Sequence, residues 1–96
     1  SGRQVSSGYL PMPAWVASPV HRKLILAIVK ARTNAGLTQR DLARKIRKTP
    51  SFVGKAESLE RNLSVMEFLA IAQAIGTPPQ EILRDVVADL PPEFEI

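Results

Sequence analysis

Ninety-six residues with a net charge of +4 and no cysteine make a single domain that has no thiolate for a zinc site, a redox pair or a disulfide. No apolar run reaches the ~18 residues of a membrane span, so a soluble, cytoplasmic protein is expected. The charge is unevenly placed: from Arg22 to Lys55 ten Lys or Arg stand against Asp41 alone, whereas from Ala56 onward eight acids outnumber two bases. Such a split suits a basic face toward a polyanion and an acidic face turned away from it.

The chain opens Ser-Gly rather than Met, as a cloning scar or a trimmed fragment would. Residues 1–17, "SGRQVSSGYLPMPAWVA", mix Gly, Pro and Ser with no sustained period and read as a flexible N-terminal arm. Its Tyr9, Leu10, Met12 and Trp15 are apolar enough to dock on the domain or on a second subunit.

From residue 18 to residue 90 the sequence punctuates itself as five helices, an all-α domain. Ser18-Pro19 offers a capping hydroxyl followed by proline at the first helical position. Val20, Leu24, Ala27, Ile28 and Ala31 then form one apolar stripe, and Gly36 can close the helix in the left-handed conformation. Thr38 with Asp41 has capping-box spacing and starts helix two, whose inward residues are Leu42, Ala43 and Ile46. Thr49-Pro50 starts helix three, with Val53 and Ala56 inward. Ser64 with Glu67 starts helix four, carrying Val65, Phe68, Leu69, Ala72 and Ile75 before Gly76. Thr77-Pro78 opens helix five, with Ile82, Leu83, Val86, Val87 and Leu90. Pro91-Pro92 then leads into a short tail, residues 91–96, where Phe94 and Ile96 could pack back or lie on a partner.

Helices two and three are short, and only Arg47 and Lys48 separate helix two from the cap of helix three. A connection that brief gives two crossing helices, the helix-turn-helix arrangement. Ala43 is small where the second helix crosses the first.

These residues carry a resemblance. "GLTQRDLARKI", "TPSFVGKAE" and "SVMEFLAIAQAIGTPPQEIL" are similar to the lambda repressor/Cro-like (XRE) helix-turn-helix family over residues 20–83. Leu37-Thr38-Gln39 with Leu42-Ala43, Glu57, and residues 71–76 hold its pattern. The sequence departs from it at Arg47 and Leu59, where the family has glycine, at Lys48, where it has an apolar residue, and at Ala56, where it has a larger aliphatic. A positive φ at Arg47 would cost about 1 kcal/mol.

The resemblance implies a five-helix bundle that puts helix three in the DNA major groove while helix two crosses the backbone. Candidate base contacts are Gln39, Pro50, Ser51, Gly54 and Lys55. Gln39 has the added tasks of holding a phosphate and bracing helix three. Pro50 can offer a thymine methyl only apolar contact, Ser51 can donate or accept, Gly54 permits close approach, and Lys55 can reach a guanine edge. Candidate phosphate contacts are Arg40, Arg44, Arg47, Lys48 and Thr49, the last also a helix cap. Phe52 belongs either to the groove or to the core.

Such a module presents few base contacts, so a homodimer on a two-fold site is expected, with repressor-like regulation of transcription. Helix five, the 91–96 tail and the Trp15 arm are candidates for the dimer surface. No cofactor is expected. Catalysis is not expected either, because the one histidine, His21, has no nucleophile or phosphate loop beside it and reads as a surface or boundary residue. Membrane binding is disfavoured, since helix two lacks a broad apolar face. The alternative is a protein-interaction module whose acidic C-terminal half meets a partner and whose DNA binding is secondary.

Overall fold

In a computed structural model the described residues are 18–93. The arm with Tyr9, Leu10, Met12 and Trp15, and the tail groups Phe94 and Ile96, lie outside them. Five α-helices follow one another: α1 (Pro19–Asn34), α2 (Gln39–Lys45), α3 (Pro50–Glu57), α4 (Val65–Ile75) and α5 (Pro79–Ala88). None of the described helices is long and apolar enough to cross a membrane.

Four of the five starts are capped by the residues that the sequence offers. The hydroxyl oxygens of Ser18 and Thr49 accept from the N–H groups of His21 and Phe52, at 3.3 and 3.2 Å. Thr38 and Asp41 exchange both bonds of a capping box, each at 3.0 Å. Ser64 and Glu67 do the same at 3.0 and 2.8 Å. Each cap satisfies N–H groups that the first helical turn leaves without an intrahelical partner.

The fifth start differs from expectation. Thr77 does not cap α5; Pro78 stands at the cap position without a side-chain bond, and Pro79 begins the helix. The Thr77 N–H turns back to the Ala72 carbonyl at 3.2 Å, beside Gly76 at φ 88°. Thr77 therefore completes the end of α4, and its hydroxyl is not placed to start the next helix.

The core is assembled from all five helices around Ile28, Leu42, Val53, Ile71 and Ala72. Two apolar stripes lie rotated from where periodicity puts them. In α1 the buried residues are His21, Ile25, Ile28 and Arg32, while Val20, Leu24, Ala27 and Ala31 are only half-buried. The expected stripe is the flank of α1, and His21 is buried rather than at the surface or boundary. In α4 the buried residues are Phe68, Ile71, Ala72 and Ile75, whereas Val65 and Leu69, expected inward, are exposed. Both faces of α4 are apolar, so periodicity there fixes the helix without choosing its inner side. In α5 Ile82 and Val86 are buried, Leu83 is half-buried and Val87 faces solvent, while Leu90, expected within the helix, lies beyond its end and is exposed.

Three titrating groups make stability depend on pH in the same direction. Hydrogen bonds from Ser64, the backbone N–H foremost, hold the Glu67 carboxyl below the ordinary carboxylate range. The Thr38 N–H, then its hydroxyl, does the same for Asp41. Burial pulls the His21 imidazole below its usual value. In each case the unfolded chain binds the proton more readily than the folded one, so stability is lost as pH falls. The urea midpoint is expected to decline first below about pH 6.5, as His21 protonates on unfolding, and again below about pH 4.3 as the caps are lost. His21→Phe should flatten the first decline and Glu67→Ala the second, both read by circular dichroism across the pH range.

Candidate nucleic-acid interface

The turn between α2 and α3 is tight and strained. The Lys48 N–H donates to the Ala43 carbonyl at 2.9 Å and the Arg47 N–H to the Arg44 carbonyl at 3.2 Å. Closing α2 this way forces Arg47 to φ 59°, a region where a side chain costs about 1 kcal/mol relative to glycine. The same device ends α3, where the Glu60 N–H reaches the Lys55 carbonyl at 2.8 Å and Leu59 sits at φ 69°. Leu59 packs its side chain against the core. Arg47 is exposed, and its guanidinium makes no hydrogen bond or ion pair among the described residues.

A buried ion pair sets the pose of α3. Arg32 donates from Nε and a terminal nitrogen to the two carboxylate oxygens of Glu57, at 2.6 and 2.9 Å. Its other terminal nitrogen donates to the Leu37 carbonyl at 2.7 Å. Gln39 Nε2 donates to Glu57 Oε1 at 2.8 Å, so the bracing role that the resemblance implies for Gln39 has its partner in Glu57. The side chains of Arg32 and Glu57 are only 10% and 9% exposed. This fork-to-fork geometry fixes orientation as well as charge, and through it α1, α2 and α3 meet at one carboxylate.

Sequence reading missed Arg32. The signal was present: His21, Ile25, Ile28 and Arg32 share one face at helical spacing, and Glu57 follows Val53 by four residues on the inward side of α3. Both charges sit on apolar stripes, where a charge needs a partner.

The exposed side of α2, the turn and α3 is cationic. Arg40, Arg44, Lys45, Arg47, Lys48 and Lys55 all face solvent. Of these only Arg44 has a carboxylate within 4 Å among the described residues, the neighbouring Asp41 at 3.6 Å on an exposed helix face. Pairs of that kind contribute little. Pro50 and Ser51 are exposed at the start of α3 and Thr49 caps it. Gly54 is half-buried, and a Cβ there would stand 3.6 Å from Gln39 Oε1, so its close approach is first of all to Gln39.

Phe52 resolves to the core: it is 9% exposed. The Arg61 guanidinium lies 4.4 Å and the Lys48 ammonium 5.3 Å from its ring centroid, within cation–π range. Arg61 also pairs with Glu67 at 3.0 Å, which ties the loop after α3 to the cap of α4. It is a second structural residue that sequence reading did not single out.

A family model described as helix-turn-helix matches residues 28–82. An XRE-family-like protein from Pseudomonas syringae pv. tomato is 38% identical with a TM-score of 0.70, covering 75% of this chain and 88% of its own. The restriction-modification controller protein C.AhdI from Aeromonas hydrophila is 32% identical with a TM-score of 0.61, covering 65% of this chain and 94% of its own. The controller protein C.Esp1396I, seen as a tetramer with its natural 35-base-pair operator, shares the fold at 24% identity and a TM-score of 0.67, covering 74% and 93%. Comparison with curated proteins gives no match.

Breaking the buried pair and replacing it should have different consequences. Arg32→Ala leaves the Glu57 carboxylate enclosed with Gln39 alone and is expected to cost about 3–5 kcal/mol. Arg32→Met combined with Glu57→Met removes both charges and should recover most of that loss. Urea denaturation of the variants, monitored by circular dichroism, reads the difference.

Proposed function

The chain belongs to the XRE family of helix-turn-helix proteins, a family of DNA-binding transcription regulators, and from that premise we propose that it binds double-stranded DNA sequence-specifically with α3 in the major groove. One observation supports this reading most: on the α2–turn–α3 surface Arg40, Lys45, Arg47, Lys48 and Lys55 are exposed and have no carboxylate within 4 Å among the described residues. Arg47 strengthens it, because a charged residue is kept where glycine would relieve backbone strain, and strain of this kind collects at functional positions.

In this reading Ser51 and Lys55 meet base edges, Pro50 offers apolar contact, and Gln39 and Gly54 lie at the groove edge where α2 crosses α3. Arg40, Arg44, Arg47 and Lys48 neutralise phosphates, and the Thr49-capped end of α3 presents N–H groups to another. One such module offers few base contacts, so two copies bind a two-fold site with half-sites about one helical turn apart. C.Esp1396I, which shares the fold, is seen as a tetramer in complex with its natural 35-base-pair operator. A protein that occupies DNA in this way hinders the access of other proteins to the site, as a repressor in the cytoplasm does.

Selection from a random duplex library tests both the sequence preference and its symmetry. Two-fold symmetric winners are expected. With about six phosphates neutralised per subunit, affinity should fall with salt at a log–log slope of about −5. Lys55→Ala and Ser51→Ala should change the preferred sequence, each lost contact removing ~1–3 kcal/mol of discrimination. Arg40→Ala should weaken binding evenly across sequences and reduce the slope by about 1. Arg47→Gly should stabilise the fold by about 1 kcal/mol while weakening DNA binding. Binding that ignored all four changes, or had no salt dependence, would favour a protein-interaction role.

A further inference from the structure

The outward face of α4 is unlike that of its neighbours. Val65, Met66, Leu69, Ala70 and Gln73 are all exposed, Val65 and Met66 at 73%, and none carries a charge. A surface helix ordinarily turns charged groups to water on that side, and a contiguous apolar patch marks a contact surface.

One flank of this face forms a trough with the α2–α3 turn. Two adjoining hollows of about 470 and 160 Å³ share Ile46 and Ala70 as common lining. Met66 and Phe52 line the smaller hollow, and Ala74 the larger. Lys45, Arg47 and Lys48 line the turn side, and among the described residues none of the three has a carboxylate within 4 Å. The carboxylate among the lining residues, Glu67, is engaged by the Ser64 N–H at 2.8 Å and by Arg61 at 3.0 Å. The smaller hollow therefore has a carbon floor, the larger adds the Gln73 amide to Ile46, Ala70 and Ala74, and a cationic rim runs along both.

We propose that this trough binds an acidic peptide segment of a partner protein. Its apolar side chains sit on Ile46, Met66 and Ala70, and its carboxylates lie over Lys45, Arg47 and Lys48. Charge complementarity selects this occupant. A purely apolar segment would cover three cations and leave them without partners, which is unfavourable. Duplex DNA satisfies the rim and offers little to the exposed carbon of Met66. An acidic segment with apolar anchors answers both, anchors on the floor and charges at the rim.

The docking does not depend on DNA binding, but one consequence rests on the reading above. Arg47 and Lys48 are assigned there to phosphates, so the peptide and the duplex compete for the same cations. Occupancy of the trough releases the protein from DNA.

Selection of a random phage-displayed peptide library on the purified chain, without DNA, tests the docking. Winners are expected to combine Asp or Glu with Phe, Leu, Ile or Met. Labelled winners, titrated by fluorescence anisotropy, should bind Ala70→Glu or Met66→Glu at least about tenfold more weakly. Lys45→Gln should slow association and lower its salt dependence. Both glutamate substitutions fall on exposed residues, and circular dichroism checks that the helices persist. No enrichment, winners without acids, or binding indifferent to both glutamates would overturn the proposal. A second titration adds a duplex chosen by the DNA selection. Displacement supports the competition, and a ternary complex overturns it. Failure of DNA binding alone would be seen in that second titration and leaves the first to decide the docking.

Discussion

The arrangement of this domain depends on one carboxylate, that of Glu57. Arg32 reaches it from α1 and Gln39 from α2, so the two helices of the basic surface are joined to α1 at a single buried point. Enclosing a charge pair carries a large desolvation penalty that the attraction need not exceed. The pair is therefore better understood as a device of orientation than as a source of stability. A carboxylate clamped by both nitrogens of a guanidinium fork has little freedom to turn, and α3 inherits that restriction.

The same pair shapes the outside of the molecule. Glu57 is the acid closest in sequence to Lys55, the one basic residue of α3, and its charge is used inside, against Arg32. Asp41 is likewise held by the cap of α2. Glu57 is thus committed to the fold, and Asp41 divides itself between the cap and an exposed pair with Arg44 of the kind that contributes little. The asymmetry visible in the sequence survives folding because these acids offset little of the cationic surface.

What the sequence makes legible here is what local chemistry decides. Ser18, Thr38, Thr49 and Ser64 cap their helices because a hydroxyl at that position meets an N–H three residues on, whatever the rest of the chain does. The α2–α3 turn is readable for the same reason, since few residues separate the two caps. Choices made by distant packing are harder to read. Val65 and Leu69 face outward because α4 is apolar on both sides and only its neighbours determine which side is enclosed. Arg32 looks like an ordinary surface arginine until its partner, 25 residues away, is brought beside it. Thr77 shows a competition between two local rules: the left-handed exit after Gly76 takes its N–H, and the second proline takes over the start of α5.

Arg47 and Met66 share a logic. Each is a residue that the fold alone would replace, the first by glycine to relieve the backbone and the second by a charged or polar group to suit water. A domain of this size has a modest core and a margin of stability of about 5–15 kcal/mol, so a strained turn of about 1 kcal/mol is a noticeable fraction of it. Both residues border the same trough, where the end of α2 meets α4. Two departures from what folding favours, unrelated in their physics, meet at one surface. Packing among the described residues gives neither a compensating contact, and a partner that engages the Arg47 charge and covers the Met66 side chain supplies both.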